Sequence, residues 1–159
     1  EVSADILRTL RRRAETALHG GGAAERFAAM VAALGGPADA LAAPGLAEAP
    51  VRRDVPAPHD GFVQRVDVRA LGLAVVALGG GRRHGGEAID PRVGLAQVAG
   101  PGQRLARGEP LAQVHAADAA AADTALAAVT AAFTLGDSVP APVDVVLERI
   151  GPAAPQSSA

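Results

Sequence analysis

The stretch "VVALGGGRRHGGEAIDPRVG", residues 75–94, gathers the residue types that could do chemistry most densely: glycines, paired arginines, one histidine and two carboxylates. Arg82 and Arg83 can grip a phosphate or carboxylate bidentately, and His84 carries a ring that titrates near neutrality. Three readings compete. A phosphate cradle requires glycines that lead into a helix and aim its N-terminal amides at the anion. Here the glycines follow an apolar helical repeat and sit at its partially negative end, which argues against a cradle. Capping of that helix end by Arg82 and Arg83 is the leading expectation. A mobile lid over a cleft, carried by Gly81, Arg82, Arg83 and His84, and a dedicated ligand site remain open beside it. In the capping reading the chain reverses at residues 79–81, and "HGGE" has nothing apolar to anchor it.

Other reactive types are sparse or badly spaced. Histidines stand at His19, His59, His84 and His115 without metal-ligand spacing, so no metal site is expected. His115, at the end of a strand-like run, reads as a satisfied structural histidine. Serines occur at Ser3, Ser138, Ser157 and Ser158, none in a nucleophile elbow. Asp67, Glu87 and Asp90 are explained by cap and turn roles. The chain has no cysteine, and its 15 basic residues are all arginine. Thiol nucleophiles, Cys-ligated zinc, Schiff bases, a P-loop lysine and covalent biotin or lipoate are thereby excluded. The segment "GPGQRLARGEPLAQVHA" shares the turn-and-strand pattern of carrier domains, yet it lacks the lysine a carrier needs. No catalytic residue and no cofactor is expected.

Several elements must position these residues. Ser3 is an N-cap for a helix with Ile6, Leu7, Leu10, Ala14, Ala17 and Leu18 on one stripe, ended by residues 20–22. Phe27, Met30, Val31 and Leu34 repeat in the same way along a second helix, stopped by Gly35 and Pro37. Arg11, Arg12 and Arg13 spread around the first helix as a solvated face. Residues 36–58 carry Pro37, Pro44, Pro50, Pro56 and Pro58 and read as a connector holding a short helix and the start of a strand. "GFVQRVDV" follows as a strand. Asp67 caps a helix along Leu71, Ala74, Val75 and Leu78. "VGLAQV" and "EPLAQVHA" are strand-like pieces around a Pro101-Gly102 turn. Asp118 caps a helix through "AAAADTALAAVTAAFTL", "VDVVLERI" closes as a strand, and residues 151–159 read as a disordered tail. The order is two helices, a connector, then β-α-β-β-α-β, an α+β arrangement.

Composition agrees with one domain and a piece of another. Apolar residues make up 49% and aromatic ones 2%, so the core must be aliphatic. A net charge of −2 gives no reason to expect nucleic acid, and no apolar run reaches the roughly 18 residues a membrane helix needs. The cytoplasm is the default expectation. The chain opens on Glu1 inside a helix-like segment, which is compatible with a truncated or processed chain.

Across residues 60–118, the ordered set G-F-V, R-A-L-G, A-L-G-G-G-R, I-D-x-x-V-G and P-L-A-x-V-H-A resembles the C-terminal domain of the pyrimidine nucleoside phosphorylase family, thymidine phosphorylases included. Upstream, "AAERFAAMVAALGGPAD" resembles the segment that precedes this domain. The likeness covers roughly residues 10–150. It implies an α/β-hammerhead domain over residues 51–150, with residues 1–50 as trailing helices and connector of a larger α/β domain. It further implies a homodimeric parent enzyme that binds phosphate and a pyrimidine nucleoside and releases the base. The family's serine-arginine-glycine and glycine-threonine-x-aspartate signatures and its active-site lysines are absent here, so no catalytic residue carries over. The chain's implied partner is the N-terminal portion of the same enzyme. The competing class is a free-standing, non-catalytic binding module with the same fold.

Overall fold

The computed structural model describes residues 3–37, 39–42 and 47–142, together with residues 148 and 151. They fall into two units, Glu1–Ala47 and Glu48–Ala159.

The first unit is a helical pair. Helix α1, Ala4–His19, starts at Ser3, whose side chain accepts from the Asp5 N–H at 3.3 Å. Asp5 also pairs with Arg8 at 2.7 Å, an i,i+3 contact in a first turn where negative charge is favoured. Helix α2, Gly22–Ala33, ends in a Schellman motif: Gly35 N–H donates to the Ala32 carbonyl and Gly36 N–H to the Val31 carbonyl. Ile6, Leu7, Leu10, Leu18, Phe27 and Met30, the apolar stripes expected from the sequence, are all exposed.

The second unit is α+β, with two small antiparallel sheets. Its elements are β1 Val51–Pro56, β2 Gly61–Val66, α3 Val68–Val75, a π turn Val76–Gly80, β3 Gly94–Ala96, β4 Arg104–Leu105, β5 Pro110–Ala116, α4 Ala119–Ala132 and β6 Phe133–Gly136. One sheet has the order β1-β5-β3 and the other β4-β2-β6. Strand β5 is central in its sheet, and Leu111, Ala112, Val114 and Ala116 are all fully buried. Helix α4 covers β1 and β5 with Ala122, Ala125, Val129 and Ala132, while α3 packs on α4 through Leu71 and Ala74. Alanine on the packed face of α4 lets the helix approach the sheet closely. The core is aliphatic, with Val55, Val63, Leu111, Val114 and Val129 as the largest fully buried side chains. Among the described residues, none that is polar or charged is buried. The three aspartate and serine caps act as expected: Asp67 accepts from Ala70 N–H at 2.9 Å and Asp118 from Ala121 N–H at 2.8 Å, alongside Ser3.

Three elements differ from the sequence reading. The last helix was expected to run through Leu135 but stops at Ala132, and Phe133 turns extended (φ −103°, ψ 139°) to open β6. Phe133 and Thr134 gain ladder partners in Val66 and Arg65 of β2, and Phe133 packs against the core, which outweighs continued helix in an alanine run. Strand β1 runs its full length through "VRRDVP", of which the sequence suggested only a beginning. Strand β4 lies in what reads locally as turn, and is made by its partner β2. The closing strand at residues 143–150 and the tail at 151–159 lie outside the described residues, apart from Glu148 and Gly151.

Candidate functional site

The loop after α3 is built from its neck outward. Leu71, Ala74 and Leu78 bury one face of the helix and carry it into the π turn. There Gly79 adopts φ 96°, a left-handed conformation that costs glycine little and other residues more. Gly80 has no room for a side chain: a Cβ would stand 2.9 Å from Val75 Cγ1 and 3.2 Å from the Val93 carbonyl oxygen. The Gly79 carbonyl accepts the Asp90 N–H at 3.0 Å, so the two ends of the loop are tied together. Asp90 in turn holds Arg92: its Oδ1 accepts from the Arg92 backbone N–H at 3.0 Å and from Nε at 2.9 Å, and its Oδ2 from Nη2 at 2.8 Å. Hydrogen bonding from the Arg92 side chain lowers the Asp90 carboxyl to about 2.

Above this neck, Glu87 organises the tip. Its Oε2 accepts the Arg83 N–H at 2.6 Å and the His84 N–H at 3.3 Å, its Oε1 lies 3.5 Å from His84 Nδ1, and its carbonyl accepts from Arg82 Nε at 3.1 Å. The Arg83 amide, with smaller contributions from His84, holds the Glu87 carboxyl below its ordinary range. Arg82, Arg83 and His84 are exposed. Gly81, Arg82, Arg83 and His84, the four residues singled out from the sequence, therefore share one loop whose backbone is fixed at both levels.

Two details of the capping expectation change. The Gly79 carbonyl at the helix end is satisfied by Asp90 N–H, and the Arg82 contact goes to Glu87 rather than to the helix. "HGGE" does have an anchor, a polar one. The turn role assigned to Glu87 and Asp90 stands, and both are spent on hydrogen bonds rather than poised for proton transfer.

The other candidates are likewise engaged. His115 Nε2 lies 3.0 Å from Gln113 Oε1, and Gln113 Nε2 donates to Asp54 Oδ1 at 2.9 Å. A carboxylate can only accept, so the Gln113 amide nitrogen faces Asp54, its oxygen faces His115, and His115 carries a proton on Nε2. A recess of about 270 Å³ is lined by Asp60, Arg104, Leu105, Ala106 and Glu109. Its carboxylates accept the Arg107 and Ala106 amides and so shape the turn before β5. Among the described residues no cluster of metal-ligating side chains occurs, and no helix is long and apolar enough to cross a membrane. What the arrangement offers chemically is an anion held by paired amides beside two guanidinium groups.

The sequence pattern of the pyrimidine nucleoside phosphorylase C-terminal domain matches residues 62–136. Thymidine phosphorylase of Burkholderia cenocepacia (strain HI2424) is 58% identical over 134 residues, covering 83% of this chain and 31% of that protein. Thymidine phosphorylase of Mesorhizobium japonicum is 46% identical over 143 residues, 89% of this chain and 33% of the relative. That of Sinorhizobium fredii is 44% identical over 139 residues, 86% and 32%. The chain thus spans about a third of the length of the curated relatives it matches.

Proposed function

Residues 62–136 belong to the pyrimidine nucleoside phosphorylase C-terminal domain family, and on that premise we propose that the chain serves as the C-terminal part of a cytoplasmic thymidine or pyrimidine nucleoside phosphorylase. The parent enzyme cleaves thymidine with phosphate to thymine and 2-deoxyribose 1-phosphate. In this reading residues 51–150 form an α/β-hammerhead domain, and residues 1–50 are the trailing helices and connector of the larger α/β domain. The N-terminal portion of the same enzyme supplies the groups that bind phosphate and nucleoside, and the whole assembles as a homodimer. This chain contributes structure and interdomain packing.

The observation that carries the reading is the 58% identity sustained over 134 residues of a protein named thymidine phosphorylase. The internal pairing of the carboxylates supports a scaffolding part: Asp67 and Asp118 cap helices, Glu87 and Asp90 tie one loop, and Asp60 and Glu109 shape a turn. Each of these six is committed to a backbone amide or an arginine, so none of the six is left as a free acid or base. The loop carrying Gly81, Arg82, Arg83 and His84 faces the substrate cleft and contributes to its closure.

Incubation of the purified chain with thymidine and phosphate tests the division of labour. The expected outcome is thymine at the level of a buffer control. Thymine release by the chain itself would overturn the assignment of the reaction centre to the N-terminal portion. The loop's part is read separately, by replacing residues 82–87 with a two-glycine linker in the parent enzyme. A fall in turnover without loss of folding supports closure by the loop, and unchanged kinetics removes it.

A further inference from the structure

Two successive backbone amides, those of Arg83 and His84, converge on one carboxylate oxygen of Glu87. Successive N–H groups that point into one concavity form an anion-binding nest. Glu87 Oε2 is the anion in this one. The imidazole of His84 attends the other carboxylate oxygen, and Arg82 reaches the Glu87 carbonyl through Nε alone. Among the described residues the Arg83 guanidinium has no hydrogen-bond or ion-pair partner, and Arg82 keeps its two Nη groups free. A glutamate in such a loop would ordinarily pair with a guanidinium. This one is spent on the backbone, so the arginines remain available around an occupied anion site.

We propose that the loop at residues 81–87 is an anion-binding nest whose resident ligand is the Glu87 side chain, and that it exchanges that carboxylate for a phosphate-class dianion. The geometry selects the class. An external monocarboxylate carries the same charge as Glu87 but lacks its tether, so it cannot compete with a group held at high effective concentration. A phosphate dianion brings a second charge and further acceptor oxygens. It can take the Arg83 and His84 amides and meet the guanidinium groups of Arg82 and Arg83 together. The tied neck, Asp90 N–H to the Gly79 carbonyl, keeps the loop closed during exchange, so that only the tip must rearrange. The depressed Glu87 carboxyl agrees with a nest that prefers an anion over a neutral acid. The inference rests on the loop's own hydrogen bonds, independently of the phosphorylase reading, and its test involves no turnover.

The test is a titration of the full chain with inorganic phosphate, followed by the backbone amide resonances of Arg83 and His84 and the side-chain Nε resonances of the arginines. In the wild-type chain Glu87 competes, so saturation requires high phosphate. E87Q keeps the shape of the side chain but removes its charge. It is expected to lower the apparent Kd for phosphate about tenfold or more, because a neutral amide oxygen holds the nest more weakly than the carboxylate does. The largest movements are expected at the Arg83 and His84 amides, with acetate moving neither. E87A is expected to behave like E87Q, and unshifted core resonances in both variants report an intact fold. Equal phosphate affinity in wild type and variants would overturn the proposal. So would a gain confined to arginine Nε signals, because that is attraction to exposed guanidinium groups without a nest.

Discussion

Asp90 N–H donates to the carbonyl of Gly79 at 3.0 Å, joining the residue at which the chain reverses to the residue that clamps Arg92. That bond makes the glycine-rich stretch a closed loop with a defined base. Because Gly79 sits at φ 96°, Gly79→Ala is expected to cost about 1–2 kcal/mol from the left-handed strain. Urea unfolding should show a lower midpoint with an unchanged slope. Gly80→Ala should cost at least as much, since its methyl group meets Val75 and the Val93 carbonyl.

The Asp90 clamp predicts an acid dependence. Its carboxyl titrates at about 2 in the folded chain, below the ordinary 3.8, because the Arg92 side chain hydrogen-bonds its charged form. A depressed folded value means that the stabilisation is fully present about one unit above the ordinary 3.8 and is lost progressively as pH falls through about 2. Loop amide protection, taken as the exchange rate relative to the intrinsic rate at each pH, should fall on acidification through that window in the wild type. In D90N the Asp90 contribution to that loss of protection should be missing.

Aliphatic packing predicts a sharp contrast between two leucines. Leu111 is fully buried on β5, so Leu111→Ala should destabilise by about 2–5 kcal/mol. Leu73 is 59% exposed on α3, and Leu73→Ala should stay within about 0.5 kcal/mol. Chemical denaturation of both variants side by side checks this, and a comparable loss at the two positions would contradict the assigned core.

Capping gives an intermediate scale. Asp118→Ala removes the acceptor for the Ala121 amide at the start of α4 and should cost about 1 kcal/mol. Asp118→Asn, which retains a side-chain oxygen, should recover most of it, as thermal unfolding would show.

The elements that were legible in the sequence are those whose signal is local. Ser3, Asp67 and Asp118 announce helix starts by residue type alone, and the helical repeat survives in the buried Leu71 and Ala74 of α3 and in Leu78 of the π turn that follows. Illegible elements depend on distant partners. "AAFTL" is as alanine-rich as the helix before it, and only pairing with Val66 and Arg65 turns Phe133 and Thr134 into strand. In β1, Arg53 breaks the apolar alternation, and its partner is Asp123 on α4, 70 residues away. Gly81, Arg82, Arg83 and His84 stand out in the sequence because glycine and arginine cluster visibly. The organising role of Glu87 does not, since a carboxylate that accepts amides of its own loop looks in sequence like any other surface acid.

If the chain serves as the C-terminal part of a thymidine phosphorylase, it should replace that part in a working enzyme, and a chimera measures this. In the Burkholderia cenocepacia relative, the segment matched by this chain is replaced with the corresponding residues of the chain, and thymine release from thymidine and phosphate is measured. The expected outcome is a dimeric chimera with turnover within about tenfold of the relative, that is, a change of no more than about 1.4 kcal/mol in the barrier. A chimera that folds and dimerises but releases no thymine above a buffer control would contradict it.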